Sequence, residues 1–173
     1  MEFYNLVKNL NNTTKFVSIP IEDEKLKKIL NSMRMALSVN NTQPWKFVIT
    51  RDEDKKRKLV SVLGNSYKFL LDAPLLIIAC ANPDESFPTL GGYMNSYPLD
   101  MGIIIDRLLL AVANEGLAVN WITDFHEDKI KPIFMIPENI HVVSIFVVGY
   151  PAEPGSNPGR KNLEEIICYE NYL

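Results

Sequence analysis

The sequence predicts an α+β layer protein whose sheet has about four to five strands, flanked by helices. Three observations carry this. The runs "APLLIIACA" and "HVVSIFVVGY" are short and almost continuously apolar, as in strands covered on both faces. "KFVIT" alternates, as a half-buried strand does, and between these runs apolar residues recur at helical spacing. With 173 residues, 47% hydrophobic and 23% charged, the chain has the size and balance of one globular domain, 1–173, with 150–173 as a C-terminal arm.

Element by element, Phe3, Leu6, Val7 and Leu10 predict a short first helix. "IEDEKLKKILNSMRMAL" predicts a second, with Leu26, Ile29, Leu30, Met33 and Leu37 on one face and acids in its first turn, where the helix dipole favours them. Leu59, Val60 and Leu63 mark a third, which Gly64 ends. Asn82 to Pro98, rich in Pro, Gly, Asn and Ser, reads as a long loop or lid. Asp100 can cap a helix from Met101 to about Glu115 that is apolar almost all round, hence buried at the centre. "LAVNWI" is a strand. Thr123 or Asp124 can cap a helix carrying Ile130, Ile133 and Phe134, which Pro132 keeps short or bent. A Pro/Gly-rich arm and a short helical stretch close the chain.

Composition narrows the function. A net charge of −3 gives no footprint for nucleic acid, whose binding needs clustered cations against phosphate. The longest apolar run is broken by Asp106 and Arg107 and falls short of the ~20 residues a membrane span requires. The first residues lack the pattern of a signal peptide, so a cytoplasmic protein is expected. Cys80, inside an apolar run, reads as a buried inert thiol. His126 and His141 have no Cys or carboxylate spacing that makes a metal site, and Gly91-Gly92 is no phosphate loop.

The stretch "ALSVNNTQPWKFVIT" sets Ser38, Asn41 and Gln43 directly before Pro44-Trp45 and a strand. It recurs in order with the apolar helix "DMGIIIDRLLLAVANEGL", "WITDF", and "VVGYPAEP" followed by "GRKNLEE". Together these pieces resemble the nitroreductase family of FMN-dependent oxidoreductases over nearly the whole chain. The resemblance implies a mostly antiparallel sheet, a homodimer whose arms cross to the partner subunit, and two FMN sites at the interface. It implies that Ser38, Asn41 and Gln43 meet the flavin, largely from the partner. Ile122, Thr123 and Asp124 would line the ring, with a backbone N–H near Thr123 pointing at N5. Arg160 and Lys161 would reach the ribityl phosphate. The Trp45 indole is expected to pack beneath its loop.

Each group also has a plainer reading. Ser38, Asn41 and Gln43 suit a capped helix end and an Asx-type turn; Thr123 and Asp124 suit helix caps; Arg160 and Lys161 suit a solvated pair. One stretch departs from the family. Where an Arg-Arg-Ser-x-Arg string is usual, this chain has Leu10, Asn11, Asn12, Thr13 and Thr14. Asn12 can still donate to a phosphate oxygen, and Lys8 or Lys15 could swing in. Charge-assisted hydrogen bonds are worth ~1.5–3 kcal/mol each, so two lost cations would weaken FMN binding by two or more powers of ten.

The function expected is hydride transfer from NADH or NADPH through flavin N5 to a small organic acceptor, such as a nitro compound or quinone, with ping-pong kinetics. The alternatives are a flavin- or ligand-binding homodimer without turnover, and a protein that degrades flavin as its substrate.

Overall fold

The apolar run at the middle of the sequence forms a strand in which every residue is buried, β3 (Leu75–Ala81), because it has a strand on each side and helices on each face. This is a computed structural model, and it describes residues 2–8, 10, 12–155 and 158–172. β3 pairs with β2 (Trp45–Thr50) on one side and with β5 (His141–Pro151) on the other. β4 (Ala118–Ile122) also pairs with β5, and β1 (Phe16–Val17) pairs with the C-terminal end of β5. All these pairings are antiparallel, so the expected sheet is the sheet that forms.

Alternate residues of β3 serve two cores. Leu75, Ile77 and Ala79 pack with Ile29 and Met33 of α2 (Asp23–Arg34) and with Ile104 and Leu108 of α4 (Tyr97–Asn114). Leu76, Ile78 and Cys80 face the opposite way, onto Leu59 of α3 (Glu53–Leu63) and Ile130 and Phe134 of α5 (Glu127–Phe134). Side chains alternate across a strand, so a strand with two cores must be apolar at every position. In β5 an extra residue interrupts the register, Ala79 facing Ser144 and Cys80 facing Val142.

The helices follow the expected pattern with local corrections. α1 (Phe3–Lys8) is present; α2 stops at Arg34, so Leu37 is 77% exposed rather than on a helix face. In α3 the Asp52 carboxylate accepts the N–H groups of Asp54 and Lys55, and Gly64 at φ 101° ends the helix. α4 begins at Tyr97, not Met101, because Pro98 fits a first helical turn that has no partner for its N–H. Asp100 is therefore inside the helix and fully buried instead of capping it. Nor is α4 buried all round: one side lies on the sheet, while Leu99 is 47% exposed. α5 starts after His126, so neither Thr123 nor Asp124 caps it, and it is short, with Pro132 inside and Met135 at φ 54° after it.

The segment after β3 is more ordered than a bare loop. It opens with a 3₁₀ turn, Pro83–Glu85, and closes through hydrogen bonds described below. In the arm every described residue from 158 to 172 is exposed, around one turn, Leu163–Glu165, held by reciprocal bonds between Asn162 and Glu165. Among the described residues no helix is long and apolar enough to cross a membrane.

Candidate functional site

The loop before β2 is built from its own polar groups. Ser38 Oγ accepts the Gln43 N–H at 2.9 Å, and a single 3₁₀ turn, Val39–Asn41, lies between. Asn40, Asn41 and Gln43 all have left-handed backbone, at φ 51°, 57° and 50°. Non-glycine residues are uncommon in that region, asparagine least so, and hydrogen bonds from outside the turn constrain this loop. The constraint comes from Asp100, whose Oδ1 accepts the Val39 N–H at 2.7 Å, and from Asn82, whose N–H reaches Pro44 O at 2.7 Å. Gln43 Nε2 donates to Asn41 Oδ1 at 3.1 Å, while both side chains are exposed. That leaves Gln43 Oε1 as an acceptor and Asn41 Nδ2 as a donor. Trp45 packs against the α2/α4 core below. The turn reading describes Ser38, whose hydroxyl accepts within the loop, and the two amides are presented outward.

A second group forms where the N-terminal string meets β4. Asn12 makes an isolated parallel bridge with Val119, and its Oδ1 accepts the Trp121 N–H at 3.2 Å. Asn120 Nδ2 returns a bond to Thr13 O at 3.0 Å. Ile122 is buried at the end of β4, and Thr123 and Asp124 follow it, both exposed. Asn11 of the same string lies outside the described residues. Asn12, Thr13, Thr14, Lys15, Asn120 and the 153–155 segment line a cavity of about 370 Å³. Lys15 is its cation, and Glu153 Oε2 holds the ammonium at 2.6 Å. This contact, unseen in the sequence, answers whether Lys15 is at hand: it is at the cavity, with its charge already paired.

The third group, Arg160 and Lys161, is on the exposed arm. Arg160 Nη1 donates to Pro158 O at 2.5 Å, and neither residue makes an ion pair with the other two groups. Among the described residues no hydrogen bond or ion pair joins the three groups. Trp45 and Ile122 are separated by β3 and β5, three strand spacings or roughly 14 Å.

His141 is satisfied: its Nδ1 is 3.0 Å from Glu127 Oε1, and its ring stacks on Tyr97. Burial acts to raise the Glu127 carboxyl, but the Val142 N–H, the His141 hydrogen bond and the charges of His141 and Lys131 hold it below its ordinary value. His126 is exposed at the start of α5. Among the described residues no three His, Cys, Asp or Glu side chains gather as metal ligands would. The residue that sequence reading missed is Asp100. Its signal was a lone carboxylate on an otherwise apolar helix, which invites the question of what it accepts.

Comparison with known proteins agrees with this architecture. A nitroreductase family protein of Clostridium difficile 630 superposes with a TM-score of 0.88 at 27% identity, covering 99% of this chain and 100% of that one. A protein of Archaeoglobus fulgidus, provisionally named NADH dehydrogenase/NAD(P)H nitroreductase, is 29% identical over 162 residues, 84% of this chain and 87% of its own. More distantly, a Bacillus subtilis protein named FMN reductase (NAD(P)H) is 20% identical over 170 residues, 89% of this chain and 68% of its own. The sequence profile of the Nitroreductase family matches residues 13–68 and 62–150, which takes in the loop before β2, α4 and the sheet up to Tyr150. The chain belongs to the nitroreductase family.

Proposed function

We propose that this chain is an FMN-dependent oxidoreductase that works as a homodimer, taking hydride from NADH or NADPH through flavin N5 and giving it to a small organic acceptor. The observation that carries the reading is the loop from Ser38 to Gln43. Asn40, Asn41 and Gln43 are held in left-handed backbone there, a region that asparagine tolerates and glutamine rarely adopts, and the turn presents the Asn41 and Gln43 amides outward.

The residues suit the cofactor at its ring. The pyrimidine edge of a flavin presents an N–H between two carbonyl oxygens. Gln43 Oε1 and Asn41 Nδ2 offer an acceptor and a donor for such an edge. Asn12 and the Ile122–Asp124 segment would line the ring, and Arg160 and Lys161 would meet the phosphate. Bound FMN supplies the two-electron chemistry; the chain supplies binding, orientation and exclusion of water. The two ring-facing groups are set apart by three strand spacings, roughly 14 Å across the sheet alone, so a site completed by the partner's loop fits better than one within a single chain. The arm supports the same arrangement. Its Leu163, Ile166, Ile167, Tyr169 and Tyr172 are all exposed, an apolar set that a second copy would cover.

The test is a titration of apo-protein with FMN, followed by flavin fluorescence, and anaerobic addition of NADH or NADPH to the loaded protein. The reading expects tight yellow protein that bleaches, and weaker binding in Gln43→Ala and Arg160→Ala. Protein that takes up no FMN would overturn it. A second reading, a flavin-binding dimer without turnover, is favoured by Leu10 and Thr14 at the family's basic places and by Lys15 held by Glu153. It expects FMN to bind and NAD(P)H to leave it coloured.

A further inference from the structure

The segment that leaves the body after β3 and the loop before β2 share one buried carboxylate. Phe87 and Ser96 close the segment between them: Ser96 N–H donates to Phe87 O at 2.8 Å, and Phe87 N–H donates to Ser96 Oγ at 3.0 Å. The Ser96 hydroxyl then donates to Asp100 Oδ2 at 2.7 Å, and Asp100 Oδ1 accepts the Val39 N–H at 2.7 Å. Ser96 and Asp100 are both 0% exposed. Within the closed segment Leu90 and Met94 form a second bridge, and the tip places Tyr93, 83% exposed, beside two glycines with positive φ.

A carboxylate in the first turn of a helix is ordinary, because the dipole and free N–H groups there favour it. Asp100 does something else. One of its oxygens is engaged by Ser96, the residue at the start of α4 that also closes the segment, and the other by the loop before β2. Burial removes the water that would compete for these two hydrogen bonds. Two loops distant in sequence thereby hang on one rigid group.

We propose that Asp100 is a positioning residue that couples the 88–95 segment to the Ser38–Gln43 loop, so that what fixes one fixes the other. The consequence for flavin binding rests on the function proposed above; the coupling itself does not. An acceptor that settles under Tyr93 would then also order Asn41 and Gln43, and a loosened segment would loosen their grip.

Ser96→Ala tests this directly, because Ser96 touches neither the flavin-facing amides nor Val39. Hydrogen exchange in FMN-free protein is read at Val39, Asn41 and Gln43, with Ile77 and Ile78 of β3 as the control for global stability. The expected result is exchange at 39–43 accelerated about tenfold, with β3 unchanged. Acceleration confined to 87–94 would overturn the coupling. Asp100→Asn is the second variant, should Ser96→Ala disturb β3. It preserves the side-chain shape and one acceptor for Val39 but turns the other position into a donor, and it should accelerate exchange in both loops together. Wild-type exchange at 39–43 in Asp100→Asn would also overturn the proposal. In FMN titrations Ser96→Ala should raise the dissociation constant about tenfold. Wild-type protein that binds no FMN, with exchange coupled as described, would remove the flavin reading and leave the coupling standing.

Discussion

Asn12 Oδ1 accepts the backbone N–H of Trp121 at 3.2 Å across 109 residues of sequence. With Thr13 N–H on Val119 O at 3.1 Å, it lays the N-terminal string along β4 like a fragment of one more strand. The uncharged string, which stands where the family's basic string is usual, thus reaches the end of β4 beside Ile122, and Thr14 lines the adjoining cavity.

Thr14→Arg should tighten FMN binding. Thr14 is exposed, so the longer side chain is accommodated without repacking. One charge-assisted bond of ~1.5–3 kcal/mol corresponds to roughly ten- to a hundredfold in dissociation constant. Fluorescence titration of variant against wild type checks it, and an unchanged constant would remove the cavity from the phosphate site.

Freeing the cation already present should act in the same direction. Glu153→Gln leaves Lys15 without its carboxylate, and FMN binding is expected to strengthen several-fold at low salt, less at high salt. Stability should change little, because both partners are about 60% exposed and such pairs contribute ~0–1 kcal/mol.

Gly149→Ala should destabilise the fold. A Cβ there would come within 2.7 Å of Pro74 Cδ and 3.1 Å of Phe16 Cδ1. A proline ring cannot swing aside, so a cost of ~1–3 kcal/mol is expected from overpacking. Urea unfolding should show a lower midpoint at unchanged slope.

The acid limb of stability should depend on Glu127. Its carboxyl is held below the ordinary 4.5 in the folded protein. The folded state therefore binds the proton less readily than the unfolded chain. The stabilisation is complete above about 4.5 and is lost as pH falls through the lower folded value. Glu127→Gln should be less stable than wild type near neutrality, and the gap should close below pH 4.5. A gap that stays constant down to pH 3 would contradict the contact with His141 and Val142.

Cys80 should be silent to thiol reagents. Burial first, then the Glu127 charge, pushes its thiol up to about 11, against a smaller opposing effect of Lys131. At pH 8 the thiolate is then about one part in a thousand. In a Cys168→Ser background, no reaction is expected until denaturant is added.

Much of this protein is legible along the chain, because local chemistry decides it. "APLLIIACA" is apolar at every place, and only a strand between two cores uses every residue that way. Gly64 stops α3 wherever the rest of the molecule lies. Ser38, Asn41 and Gln43 stand out because their spacing next to Pro44-Trp45 is itself the signal. Other features were decided only by the tertiary structure. Asp100 reads as a cap in sequence, and it becomes a buried tether because folding brings Val39 to its side. Lys15 reads as available, and it is held because the end of β5 delivers Glu153. Thr123 and Asp124 read as caps, and the helix starts beyond them. A residue's periodicity is a property of its neighbours in the chain; the partners that reassign Asp100 and Lys15, namely Val39 and Glu153, lie more than sixty residues away, where no local pattern reaches.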